Sequence, residues 1–222
     1  TTAAEVSLQP YGVIARHGLP TDLQKIFVVH EGVIARQDGT LTETDYPDVA
    51  DLPVVEREAA NADVVEAKTD GWIGFTDHYW MTTLIPEQGK PYTAVTKYVA
   101  ASDIYQTEVR QPVMTVAPGA KASTTSRLFA GAKETELLDD YVDAKDIKLL
   151  DRAVDWGWFI WFEKPIFKLL NWLFEQVGNF GVAIILLTII IRGLMFPIAQ
   201  KQFASMAQMR AVQPKMKALQ ER

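Results

Sequence analysis

The chain has 222 residues, a formal net charge of −6 and no cysteine. Its acidity argues against a nucleic-acid binder, which needs a basic face to neutralise phosphates, and the missing thiols exclude disulfides, thiolate chemistry and cysteine-based zinc sites. A mean hydropathy near zero conceals two unlike parts: residues 1–191 hold 16 Lys/Arg against 27 Asp/Glu, whereas residues 192–222 hold six against one.

The chain opens on Thr1 and stops inside a helix-like segment, so we expect a piece of a longer polypeptide; TTAAEVSLQP is neither basic nor apolar and has no signal-peptide character. From Leu8 to about Ala132 the pattern is that of a mainly β domain. Segments rich in Val, Ile, Thr, Tyr and Phe recur (KIFVVHEGVIA, GWIGFTDHYWMTTLI, YTAVTKYVA, IYQTEVRQPVMTV, TTSRLFAG), separated by turn residues at 37–39, 86–89 and 117–119. Asp38-Gly39 suits a hairpin tip, since both residues tolerate positive φ. Thr93, Val95, Lys97 and Val99 share one strand face, with Ala94, Thr96 and Tyr98 on the other. No helix-length amphipathic segment interrupts the strands, which favours a sandwich over an α/β fold. Asp45 to Thr69 is acidic and proline-punctuated at first, and reads as a loop with a weak strand or a short helix. After Lys133 the spacing turns helical, and short helices with acidic faces close a β domain over residues 1–150.

Residues 155–176 carry four of the six tryptophans, Trp156, Trp158, Trp161 and Trp172. Pro165 fits the first turn of a helix, where a missing N–H costs nothing. From there Ile166, Phe167, Leu169, Leu170, Leu173 and Phe174 form an apolar stripe opposite Lys168, Asn171 and Glu175. A helix lying in the headgroup region needs such a face, with Trp158, Trp161, Phe167 and Trp172 as its membrane-interface residues; the other reading is a cap on the core of the β domain.

Residues 177–198 form an apolar run broken by few polar residues. At about 1.5 Å per residue they cover about 33 Å, enough for a hydrocarbon core of about 30 Å. Lys201, Arg210, Lys215, Lys217 and Arg222 all follow the run, so residues 199–222 are expected in the cytoplasm and residues 1–176 in a bacterial periplasm. Arg192 is the one charge inside the run. Isolated in hydrocarbon, an arginine costs roughly 2.5–3.5 kcal/mol on insertion scales. Two readings stay open: a guanidinium snorkelling to the inner headgroups, or one facing a wet cavity built with other helices, on a face shared with Thr188, Ile185 and Gly181. Pro197 is expected to kink the helix. The basic segment beyond it reads as helical up to Pro214, where Phe203, Met206 and Met209 offer a soft apolar edge, fit for varied hydrophobic partners or for a neighbouring helix.

The run from about Asp155 to Arg222 holds, in order, an aromatic helix with Pro165, then V-G-N, then an apolar span with I-I-R-G-L-M-F-P, then M-R-A-V-Q-P-K. In that order these features resemble the YidC family of membrane protein insertases. The resemblance implies a mainly β periplasmic domain of β-supersandwich type, followed by an α-helical membrane segment in a multi-pass protein of the bacterial inner membrane. It implies that Arg192, with Thr188, faces a hydrophilic intramembrane groove that receives nascent membrane proteins. It places Lys201, Met206, Met209 and Arg210 at the start of a cytoplasmic hairpin contacting substrates and ribosomes. The Sec translocon and the lipid bilayer are the other implied partners; no cofactor, metal or catalytic residue is implied.

Two other readings are weighed beside it. In one, the β domain is a carbohydrate- or ligand-binding module tethered by a single helix, with Asp77, His78, Trp72 and Trp80 as its only chemistry-bearing neighbours. Adjacent strand residues point to opposite faces, so Asp77 and His78 do not converge, and His17, His30 and His78 lack metal-ligand spacing. In the other, the β domain is a docking surface for translocation machinery, for which no patch stands out.

Overall fold

Strand β7 (Gly71–Thr76) has no exposed residue, and β3 (Gly32–Gln37) is buried at its first five positions. A strand covered on both faces reads as a continuous apolar run instead of an alternation, and the architecture follows from that cover. The structure, a computed structural model, describes residues 4–21, 23 and 30–220. It divides into two units, Thr1–Asp155 and Trp156–Arg222.

The first unit is mainly β, and among the described residues it forms three antiparallel sheets. One sheet runs β2 (Tyr11–His17), β10 (Ile104–Arg110), β9 (Tyr92–Val99), β6 (Ala60–Ala67), β5 (Val54–Val55). The second runs β12 (Arg127–Ala132), β8 (Trp80–Ile85), β7, β3, β4 (Thr40–Asp45), and β1 (Val6–Leu8) pairs with β11 (Met114–Val116). The two large sheets enclose Val33, Ala35, Ile73 and Phe75 from one side and Tyr92, Ala94, Tyr105 and Val109 from the other. Helix α1 (Tyr46–Ala50) adds Tyr46 and Val49, both fully buried. On the far face of the second sheet, Ile34, Trp72, Met81 and Phe129 meet Leu138 of helix α2 (Thr135–Lys145), together with Ile147 and Leu150. The Trp72 indole N–H donates to the Lys148 carbonyl at 3.0 Å, fastening the segment after α2 to the sheet. The short helices expected after Lys133 thus provide the cover that the second sheet needs. Gly74 lets β7 and β8 close up: a Cβ there would fall 1.9 Å from the Thr82 carbonyl oxygen.

β3 and β4 join through Asp38-Gly39, with φ of 47° and 94°, the paired positive values of a tight hairpin. The Asp38 carboxylate accepts the N–H groups of Lys68 and Thr69 at 2.8 and 2.9 Å. These bonds hold its carboxyl below the usual range, that from Lys68 most. Of the expected strand KIFVVHEGVIA, residues 25–29 lie outside the described residues, and the strand proper starts at Gly32. The stretch 45–69 is more regular than its composition suggests. It holds α1, β5 and the eight-residue β6, which pairs with β9 from Asn61↔Tyr98 to Ala67↔Tyr92. Cross-strand packing against β9 overrides the weak propensity of ANADVVEA.

The face of β9 and β10 turned away from the core carries an ion network. Arg110 donates from both terminal nitrogens to Glu58, at 2.6 and 2.5 Å, and also to Glu108, while Lys97 meets Glu108 and Glu58. The carboxylate side chains are 4 % and 6 % exposed. Arg110 holds the Glu58 carboxyl below its ordinary range, its hydrogen bond outweighing the opposing burial. A carboxyl lowered in the folded state contributes stability above its unfolded pKa of about 4.3 and loses it as pH falls through the lower folded value. Glu58→Gln is therefore expected to lower stability at pH 7 by about 1–3 kcal/mol, less than the loss of a lone buried partner because Arg110 keeps Glu108. It should also flatten the acid limb. Urea midpoints collected between pH 7 and pH 3 check this, and parallel curves for parent and variant would remove the network from the acid response.

Candidate functional site

Trp156–Arg222 builds its site from two helices, α3 (Ile160–Val177) and α4 (Phe180–Gln220). α3 starts at Ile160 after a short 3-10 turn, so Pro165 stands inside the helix and not in its first turn. Lacking an N–H, it leaves the Trp161 carbonyl without its usual donor. Within α4 the segment Phe180–Phe203 is long and apolar enough to cross a membrane. Ile185, Ile189, Leu194, Met195, Phe196 and Ile198 each expose more than half of their surface, an exposure that suits lipid and not water.

The apolar stripe of α3 meets α4. Leu173, Ala183 and Leu187 are buried together, with Ile166, Leu169, Leu170, Leu186 and Ile191 packed against them. Hydropathy reveals the stripe but not its partner. Trp161 and Trp172 stay exposed on the other side of α3, near Lys164 and Lys168 at about 100° per residue. Phe167 stacks edge-on with Trp156 at 5.6 Å. Trp156, Phe159, Trp161, Phe162 and Phe167 line an open apolar groove of about 750 Å³. The Trp158 side chain lies outside the described residues.

Gly181, Ile185, Thr188 and Arg192 are all exposed and recur every three or four residues. On the helical wheel they centre roughly opposite Ala183 and Leu187, so Arg192 and Thr188 point away from α3. The Thr188 hydroxyl donates to the Ile184 carbonyl at 2.8 Å, leaving its oxygen lone pairs toward the same open side. Any wall that faces Arg192 must come from elements other than α3. α4 continues past Pro214, where a stop was expected, to Gln220, and it includes Pro197; proline is tolerated in membrane helices when neighbouring groups re-satisfy the freed carbonyls. Lys201, Phe203 and Met206 are exposed; the side chains of Met209 and Arg210 lie outside the described residues.

In the β unit the constellation around Asp77 is already spent on structure. Its carboxylate accepts from Arg16 Nη1 at 3.0 Å and from the Tyr46 hydroxyl at 2.9 Å, and the same Arg16 nitrogen donates to Tyr46 at 2.7 Å. Burial, then the Asp77 charge, push the Tyr46 phenol well above its ordinary value. Trp72 is fully buried and offers no stacking platform for a sugar. His30 bonds Asp45 and the Val33 carbonyl, and no cluster of metal-ligating side chains occurs among the described residues. Sequence reasoning missed Arg16; its signal was an inward-facing cation in the alternating strand YGVIARH. It also missed the connection at Gly178-Asn179, a helix stop followed by a helix start.

Comparison with known proteins agrees with both units. The family model of the YidC periplasmic domain matches residues 1–169, and that of the 60Kd inner membrane protein matches residues 172–222. The membrane protein insertase YidC of Cereibacter sphaeroides (strain ATCC 17029 / ATH 2.4.9) is 54 % identical over 226 residues, covering 98 % of this chain and 36 % of its own. That of Jannaschia sp. (strain CCS1) is 47 % identical over 238 residues, 100 % of this chain and 38 % of its own. That of Dinoroseobacter shibae (strain DSM 16493 / NCIMB 14021 / DFL 12) is 50 % identical over 222 residues, 100 % and 36 %. The chain spans a little over a third of the length of the curated relatives it matches.

Proposed function

The chain belongs to the YidC family of membrane protein insertases, and we propose that it is the part of such an insertase that joins the periplasmic β domain to a substrate-receiving membrane helix. In the whole protein, further helices complete a hydrophilic groove on the open side of α4. Arg192 there attracts acidic or polar parts of an incoming chain while its apolar segment passes into lipid. Water and one positive charge replace part of the hydration a polar tail loses on crossing, which lowers the barrier. The observation that carries this reading is the shared open face of Thr188 and Arg192, turned away from the helix that α4 does pack against.

The remaining parts follow from the same frame. Trp161 and Trp172 settle at the outer headgroups with Trp158 and Phe167, and α4 carries the chain to the cytoplasm. There Lys201, Met206, Met209 and Arg210 begin the region that meets substrates and ribosomes, alone or with the Sec translocon. The protein acts as insertase and chaperone, without covalent chemistry. A β domain that merely binds carbohydrate is disfavoured by the buried Trp72 and the engaged Asp77.

Site-specific photocrosslinking tests the groove. In the full-length protein, probes at Ile185, Thr188 and Arg192 are expected to capture an arrested acidic-tailed, single-span substrate, whereas probes at Ala183 and Leu187 should not. Equal capture from both faces would overturn the assignment.

A further inference from the structure

The connection between α3 and α4 is two residues long and is fixed at both ends. Gly178 ends α3 with a φ of 65°, and its N–H donates to the Phe174 carbonyl at 2.7 Å; a left-handed residue after the last turn closes a helix in this way. Asn179 opens α4: its side-chain oxygen accepts the Val182 N–H at 3.2 Å, and its carbonyl accepts the Ala183 N–H at 3.0 Å. Across the turn the rings of Phe174 and Phe180 meet edge-on at 5.6 Å. The buried contacts of Leu173 with Ala183 and Leu187 hold the two helices together beyond it. Stop, start and packing agree, so the angle between the helices is set locally.

Arg192 lies twelve residues beyond Phe180, about 18 Å along the axis of a continuous helix. We infer that Gly178 and Asn179 are positioning residues for Arg192: the elbow they form couples the seating of α3 at the outer headgroups to the depth of the guanidinium in the membrane. A slip of one turn displaces the charge by about 5.4 Å and brings it out of register with the polar end of a substrate. The inference rests on the reading of α3 as interfacial and of Arg192 as substrate-facing, and it adds how that charge is held in place.

The test uses the full-length protein in vesicles of phosphatidylethanolamine and phosphatidylglycerol. Spin labels at Glu163→Cys and Ile189→Cys, both exposed positions, report the α3–α4 distance. A label at Leu194→Cys reports depth through its collisions with oxygen and with a water-soluble nickel chelate. A Cβ at position 178 would meet nothing within 4 Å, so Gly178→Val acts chiefly through φ, whereas Gly178→Asn tolerates the left-handed conformation. Asn179→Ala removes the cap. Parent and Gly178→Asn are expected to show one narrow distance and one depth. Gly178→Val with Asn179→Ala should broaden the distance, shift the label by about one turn, 5 Å, and cut insertion of acidic-tailed substrates by about fivefold or more. Unchanged distance and depth in that variant would overturn the elbow, whatever happens to insertion. Altered depth with undiminished insertion upholds the elbow and overturns the reading of Arg192. If the double variant fails to accumulate, Asn179→Ala alone carries the measurement.

Discussion

Arg192→Glu in the full-length protein is expected to cut insertion of single-span substrates with acidic tails by about tenfold or more, a change in barrier of about 1.4 kcal/mol. A charge pair at about 4 Å is worth about 1 kcal/mol in bulk water and about 4 kcal/mol at an effective dielectric of about 20. Charge reversal turns that attraction into repulsion of similar size, so even a wet groove yields the tenfold. Arg192→Lys keeps the charge and should stay within about threefold of the parent, losing only the fork of donors. Substrates with uncharged tails should respond weakly to both. Protease protection of the translocated tail in proteoliposomes measures all four combinations. Equal loss for acidic and uncharged tails would show that the substitution acts through folding and not through charge.

Trp72→Ala carries the largest expected effect on stability. The side chain is fully buried between β7 and the segment after α2, and truncating a large aromatic core residue costs about 3–5 kcal/mol. It also strips the Lys148 carbonyl of the indole N–H. Against a typical net stability of 5–15 kcal/mol, that is enough to loosen the β unit. Trp72→Phe keeps most of the apolar contact and loses one hydrogen bond, about 1 kcal/mol. Urea unfolding followed by tryptophan fluorescence in detergent separates the two variants. A Trp72→Ala midpoint close to that of Trp72→Phe would mean that the outer face of the second sheet contributes little.

The β class was legible because cross-strand turns leave clear marks: Asp38-Gly39 makes the hairpin its residues demand, and the faces of β9 divide as their alternation says. β6 was less legible. ANADVVEA has modest strand propensity, and its place between β9 and β5 comes from long-range pairing that local preference does not encode. The span was legible by length, but its start was not. Hydropathy carries the apolar run from Val177 straight across Gly178-Asn179, whereas the backbone stops one helix there and starts another. Arg192 was legible as a costly charge; that it turns away from α3 was not, because no periodicity in α4 says where α3 packs.

α4 has 41 residues, about 60 Å of helix at 1.5 Å per residue, roughly twice the hydrocarbon thickness of a bilayer. A rod of that length behaves as a mast stepped in the lipid. Leaning it by about 10° swings its far end by about 10 Å while its foot at Phe180 scarcely moves. Any load on that end thereby gains leverage on the residues below, so a modest force there becomes reorientation of the apolar segment near Phe180.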